Sequence, residues 1–180
     1  MSLSYALLAA LCDRPCSGYD LAKQFQGSVG YFWSATHQQI YRELHKLEDL
    51  GWINATEVSQ DGRPDKKVFS VTPLGCDRLR QWISTPHDLP VTKDEILVKV
   101  FAGYLVPSSV LVGQLRHCQQ QHQARLEVYQ DIEAQFFQHL PPEPNHRHFA
   151  YLTLKRGISF TQEWIRWCEE TIVWLEKYLS

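Results

Sequence analysis

Apolar residues recur at helical spacing over the first fifty positions of the chain, and then the period changes. Leu3, Leu7, Leu8 and Leu11 make one stripe, which predicts a helix ended by Asp13-Arg14-Pro15. Ser17 is placed to cap a second helix, Gly18 to Phe25, with Leu21 and Phe25 turned inward. Gly27-Ser28-Val29-Gly30 reads as a turn: no strand precedes it and no Lys-Ser/Thr follows, so it is not a phosphate loop. A third helix begins near Thr36. Its buried face is Ile40, Leu44 and Leu47 at i, i+4, i+7, its N-terminus a capping box of Thr36 and Gln39, and its stop Gly51. Stepping about 100° per residue from Ile40 puts Gln38, Arg42, His45 and Asp49 on the opposite face, with Tyr41 and Lys46 flanking it.

After Gly51 two β-prone runs, Trp52 to Val58 and Lys66 to Val71, are joined by turn-forming residues 59–65, which predicts a hairpin. Arg63, Lys66 and Lys67 load its tip with positive charge. Thr72 and Pro73 open a fourth helix through Leu74, Leu79, Trp82 and Ile83, and Pro86 and Pro90 bracket a short linker. From Thr92 the pattern is all helix. Thr92 to Leu105 carries Ile96, Val100 and Tyr104 on one face; a long helix follows from Pro107 towards His139; a Pro-rich loop, Leu140 to Asn145, precedes a last helix from about His146 to Leu179. The fold class is mainly α (α+β). An N-terminal winged helix-turn-helix with a two-stranded wing, residues 1–86, precedes a C-terminal all-α dimerisation and effector region of long helices, residues 91–180. Phe160, Trp164, Trp167, Trp174 and Tyr178 on the last helix exceed what a two-helix hairpin can bury, so a second copy of the chain is the expected cover.

Charge limits what such a fold can do. The net charge is −2, so nothing draws the whole chain to nucleic acid, and DNA binding must come from local placement of cations. The five cysteines are scattered and contain no C-x-x-C pair, which fits a reduced cytoplasmic chain; no apolar run approaches the roughly 20 residues that span a bilayer, so no membrane association is expected. Cys118 and His122 lie four apart on the stripe of the long helix, with Cys168 within reach on the last; a packed interior is preferred there, and no metal or cofactor is expected. Cys12 and Cys16 bracket the first inter-helix turn. A thiol switch is open at that turn, although structural thiols are the preferred reading. No nucleophile elbow, H-E-x-x-H or nucleotide fingerprint occurs, so no enzyme is expected.

The outward face of the third helix carries the amide, guanidinium, imidazole and phenol groups that read base edges and hold phosphates. A helix of that kind fits the major groove, its N-terminus near Thr36 favours a phosphate, and the wing can carry cations to the neighbouring backbone. The candidate DNA-binding residues are Tyr19, Thr36, Gln38, Gln39, Tyr41, Arg42, His45, Arg63, Lys66 and Lys67.

Four stretches in order resemble the PadR family of bacterial transcriptional regulators: the Leu7-Leu8-Ala9-Ala10-Leu11-Cys12 helix; Ser17-Gly18-Tyr19-Asp20-Leu21; Ile40-Tyr41-x-x-Leu44-x-x-Leu47-Glu48-x-x-Gly51; and Gly62-Arg63-Pro64-x-x-Lys67-Val68-Phe69-x-Val71-Thr72-x-x-Gly75. Phe69 stands where the family often has tyrosine. The second half resembles the helical C-terminal region of the longer PadR members, a class that contains phenolic-acid-responsive repressors and virulence-gene activators. The resemblance implies a homodimeric winged-helix protein on double-stranded DNA, usually a repressor relieved by a small molecule. Two recognition helices related by a two-fold axis imply an inverted-repeat operator. With the density of Trp and Tyr in the helical half, the implied effector is a small aromatic or phenolic compound, with Tyr104, His122, Trp164 and Trp167 as candidate contacts. The alternative is a winged-helix protein-interaction module without DNA binding, supported by the balanced charge.

Overall fold

The computed structural model describes residues 2–26, 35–59, 66–88 and 93–178. The glycine turn at 27–30, the hairpin turn with Arg63, and Pro90, Thr92 and Leu179 lie outside the described residues. The elements in order are α1 (Ser2–Asp13), β1 (Cys16–Ser17), α2 (Gly18–Gln26), α3 (His37–Asp49), β2 (Ile53–Val58), β3 (Lys66–Val71), α4 (Pro73–Ile83), α5 (Glu95–Phe101), a 3-10 turn (Gly103–Leu105), α6 (Ser108–Phe136) and α7 (His146–Tyr178). The chain divides into two compact units, Met1–Leu89 and Pro90–Ser180.

In the first unit the apolar stripes meet as their periods require. Leu7, Leu8 and Leu11 of α1, Leu21 and Phe25 of α2, Ile40, Leu44 and Leu47 of α3, Ile53, Phe69 and Leu79 form one core. Each fully buried leucine there contributes about 1.5–3 kcal/mol of transfer free energy. α3 ends in a Schellman turn. Trp52 N–H donates to the Leu47 carbonyl and Gly51 N–H to that of Glu48, both at 2.9 Å, and Gly51 takes the positive φ of 68° that closes the motif. Thr72 caps α4 by accepting from Gly75 N–H, and its hydroxyl donates to the Gly51 carbonyl at 2.7 Å. That bond ties the fourth helix to the end of the third.

Two expectations change. The sheet has three strands, in the order β1-β3-β2, because Cys16 and Ser17 pair antiparallel with Phe69 and Val68. A two-residue strand has no side-chain period to betray it; its pairing is a backbone event. The helix expected from Thr92 to Leu105 is helical only over α5. The Asp94 side chain accepts from Ile96 N–H and starts the helix there, and the backbone leaves the α-helix at Ala102, ahead of Gly103. On α4 only Gly75 and Leu79 are buried, whereas Leu74, Trp82 and Ile83 are exposed.

In the second unit α6 and α7 pack antiparallel. Arg116, early in α6, pairs with Glu176, late in α7, at 2.8 Å; at the other end the Tyr151 hydroxyl donates to Glu133 at 2.8 Å. Leu111, Val112, Leu115, Cys168, Ile172 and Leu175 form the core, flanked by Ile96 and Val100 of α5. Much apolar surface stays uncovered, including Phe101, Leu105, Phe149, Leu152, Trp174 and Tyr178. Among the described residues no helix is long and apolar enough to cross a membrane.

Candidate nucleic-acid interface

The third helix begins at a complete capping box. Gln39 N–H donates to Thr36 Oγ1 at 3.2 Å, and Thr36 N–H donates to Gln39 Oε1 at 2.8 Å. Gln39 therefore spends its carbonyl on the cap and keeps only its amide N–H groups for a ligand. Gln38, Arg42 and His45 are exposed, with no side-chain hydrogen bond or ion pair among the described residues. On the inner side Glu43 fixes the helix to α1. The buried Ser4 hydroxyl donates to its carboxylate, and Lys46 pairs with it at 2.8 Å. Partial burial works against the Glu43 charge, but the bonds from Lys46 and Ser4 outweigh it and hold the carboxyl below its ordinary range.

Tyr41 leans across to the start of α2. A β-carbon at Gly18 would lie 2.7 Å from Tyr41 Cε1, so the phenol ring rests on backbone that only glycine leaves open. Tyr19, next in α2, is 64% exposed. The first turn of α2 is itself capped: Ser17 Oγ accepts from Asp20 N–H at 3.1 Å and donates to Asp20 Oδ2 at 2.8 Å.

The two described wing lysines are not free. Lys66 Nζ lies 2.6 Å from Asp20 Oδ2 of α2, and Lys67 Nζ lies 2.9 Å from Glu48 Oε2 of α3. Lys67 also stands 5.4 Å from the centre of the Phe69 ring. The Lys66 bond, then that from Ser17, pulls the Asp20 carboxyl below its ordinary value. An open cleft of about 580 Å³ beside this pair brings Arg14 and Lys23 to the same surface. Sequence reading missed Asp20 and Glu48. They stand 46 and 19 residues from their lysines, and no local pattern links them.

In the helical unit three of the four candidate effector contacts come together. The His122 imidazole stacks on Trp164 with centroids 5.3 Å apart and planes 3° from parallel, and Trp164 meets Trp167 edge-on at 5.2 Å. Phe160, one turn before Trp164, adds T-shaped contacts to Trp164 and to His122; its i, i+4 spacing was the available signal. Burial pushes the His122 pKa down, with Arg125 acting in the same direction and Asp94 against it. Tyr104 is not part of the cluster. It sits on the 3-10 turn, 82% exposed, with no ring contact to these residues among those described.

The thiols pair across helices. Cys168 is pushed up to about 12 by burial and then by the neighbouring Cys118; Cys12 is raised by burial and then by Cys76 of α4 rather than by Cys16. Such thiols stay protonated at neutral pH and are poor nucleophiles. Among the described residues no three His, Cys, Asp or Glu side chains converge as a metal site would need.

Residues 7–81 match the transcriptional regulator PadR-like family, and residues 92–176 match the virulence activator alpha C-terminal family. A probable transcriptional regulator of Mycobacterium tuberculosis is 35% identical over 94% of this chain and 95% of its own. The negative transcriptional regulator PadR of Bacillus subtilis is 29% identical over 97% of this chain and 98% of its own. The crystal structure of that protein with operator DNA superposes with a TM-score of 0.87 at 27% identity, covering 97% of this chain and 99% of that one. Its structure with p-coumaric acid gives 0.83 at 26% identity, covering 98% and 99%. The Vibrio cholerae virulence activator AphA gives 0.79 at 30% identity, covering 97% and 98%.

Proposed function

Because the chain belongs to the PadR-like family of transcriptional regulators, a regulatory and not an enzymatic family, we propose that it is a homodimeric, sequence-specific repressor whose operator is released by a small aromatic or phenolic effector. In this reading residues 1–86 are the DNA-binding domain, residues 91–180 the dimerisation and effector domain, and the protein works in the cytoplasm on an inverted-repeat operator. The observation that carries it is the outward face of α3, where Gln38, Arg42 and His45 are exposed and uncommitted beside a capped helix N-terminus. Tyr19, Thr36, Tyr41 and the remaining donors of Gln39 extend that surface, and Arg63, Lys66 and Lys67 supply the backbone contacts from the wing. The uncovered apolar residues of α5 and α7 are what a second copy would bury. The solved relative with p-coumaric acid supports the effector class, and the stack of His122, Trp164 and Trp167 supplies flat apolar walls for it.

The test is a mobility shift of the full chain on a duplex taken from the DNA upstream of its own coding region, with and without a panel of phenolic acids. Retardation that a phenolic acid abolishes is the expected result. The second reading, an interaction module without DNA binding, draws on the ion-paired wing lysines and the balanced charge. A folded dimer that retards no DNA at low salt would favour it.

A further inference from the structure

The wing lysines and their carboxylates carry the furthest consequence. Lys66 and Lys67 are neighbours on β3, and each is held by an acid from a different helix of the helix-turn-helix, Asp20 on α2 and Glu48 on α3. All four side chains keep about a third to two fifths of their surface in water, so these pairs are accessible to an approaching polyanion rather than sealed in the core. We infer that Asp20 and Glu48 are affinity-setting residues that hold down the sequence-independent part of DNA binding by competing with phosphate for the wing cations. The inference rests on the DNA-binding reading above and assigns to that surface a built-in competitor.

A lysine that neutralises a phosphate releases a cation condensed on the duplex, and this release is the main source of sequence-independent affinity. Here the lysine must first share or leave its carboxylate. The freed carboxylate then repels the phosphate or takes up a cation from solution, which cancels part of the release. The cost is the same on every sequence, so it lowers affinity without changing discrimination. A regulator gains by it. Coupling between an effector and DNA usually changes affinity only about 5- to 150-fold, and coupling of that size can vacate the operator only if the backbone contribution is kept small. Asp20 has a second duty, since its Oδ2 also accepts from Ser17 at the cap of α2. Glu48 has no other side-chain partner among the described residues, so it tests the idea without touching a cap.

The experiment uses full-length Asp20→Asn and Glu48→Gln proteins, with Asp77→Asn on α4 as a control of equal charge change; among the described residues Asp77 pairs with Arg80 alone. Binding to the upstream duplex and to a random-sequence duplex is followed by fluorescence anisotropy from about 50 to 200 mM salt. Asn and Gln keep the acceptor oxygen, and thermal melts check that each variant folds. Each wing variant should bind both duplexes about two- to fivefold more tightly, by the same factor on each, as expected for an exposed pair. The plot of log affinity against log salt should steepen by up to about one unit per variant, and Asp77→Asn should do neither. Weaker binding with an unchanged slope would mean that the carboxylates position the lysines, which overturns the inference. So would an equal gain in Asp77→Asn, which would reduce the effect to net charge. If wild-type protein binds neither duplex at the lowest salt, the DNA reading itself fails and takes the inference with it. If wild type binds and the variants show no gain, only the inference fails.

Discussion

Tyr41 of α3 rests on Gly18 of α2, so closely that a methyl group at position 18 would lie 2.7 Å from the ring. The atom in the way is the far end of a partly exposed side chain, so the ring can swing aside. Gly18→Ala should therefore change the melting temperature by no more than a few degrees while displacing the phenol from the DNA face. Operator affinity is expected to fall by about three- to tenfold, on the order of 1 kcal/mol. Calorimetry and anisotropy on the same preparation check the pair of outcomes; a large loss of stability with intact binding per folded molecule would show that Tyr41 only packs.

Arg42 is the uncommitted guanidinium on the outward face of α3. Arg42→Ala should cost about 1–3 kcal/mol on the operator if the side chain pairs with a guanine edge, and much less on random DNA. Lys66→Ala and Lys67→Ala should instead weaken all sequences alike. Their ion pairs with Asp20 and Glu48 mean that each flattens the salt slope by less than the full unit of a free lysine. Equal losses on both duplexes for Arg42→Ala would remove it from base reading.

Thr36 and Gln39 form a reciprocal cap, so Thr36→Ala should destabilise the first unit by about 1 kcal/mol. The backbone N–H of residue 36 survives the substitution and still donates to Gln39 Oε1, so only the half of the cap made by the Thr36 hydroxyl is lost. Urea titration reads the stability change, and base-substituted operators show whether specificity shifts with it.

Dimerisation is expected through the exposed aromatic and aliphatic surface of the helical unit. Trp174 on α7 is about half exposed and leans on Tyr178 at 5.5 Å. Trp174→Glu puts a charge into that surface and should raise the dimer dissociation constant by about tenfold or more, at least 1.4 kcal/mol. Sedimentation of the full chain at micromolar concentration checks it. A dimer as tight as wild type would move the interface off that part of α7.

His122 gives the helical unit a pH dependence of known sign. Burial depresses its folded pKa below the ordinary value of about 6.5, so the unfolded chain binds its proton first as pH falls. The stability that goes with neutral imidazole is full above about pH 6.5 and is lost as pH drops below it. Arg125 and Asp94 act on the same ring in opposite directions, so their own variants should move the midpoint apart. The readout is the fluorescence of Trp164, stacked on the ring, and His122→Gln should abolish that phase of the titration. A midpoint at or above the ordinary value would contradict a depressed pKa.

The local facts of this protein are determined by its amino-acid order. Ile40, Leu44 and Leu47 repeat at the period of a helix face and are buried; Thr36 and Gln39 stand at the separation at which a cap closes; Gly51 takes the left-handed conformation that ends α3. Each depends on residues within a turn or two of one another, so their spacing in sequence is their spacing in space. The same closeness made Phe160 legible beside Trp164 on the last helix, whereas its contact with His122 on α6 was not. What tertiary structure alone decided lies between distant stretches. Cys16 and Ser17 become a strand because β3 is there to pair with them, and Cys12 meets Cys76 across two helices rather than Cys16 across one turn. His122 finds Trp164 while Tyr104, equally aromatic in the sequence, stays in solvent. Lys66 and Lys67 read as free cations at a wing until the fold carries Asp20 and Glu48 to within a hydrogen bond of them. A local pattern encodes which way a side chain points along its own helix or strand; which charge or ring it meets there is set only when separate elements pack around a common core.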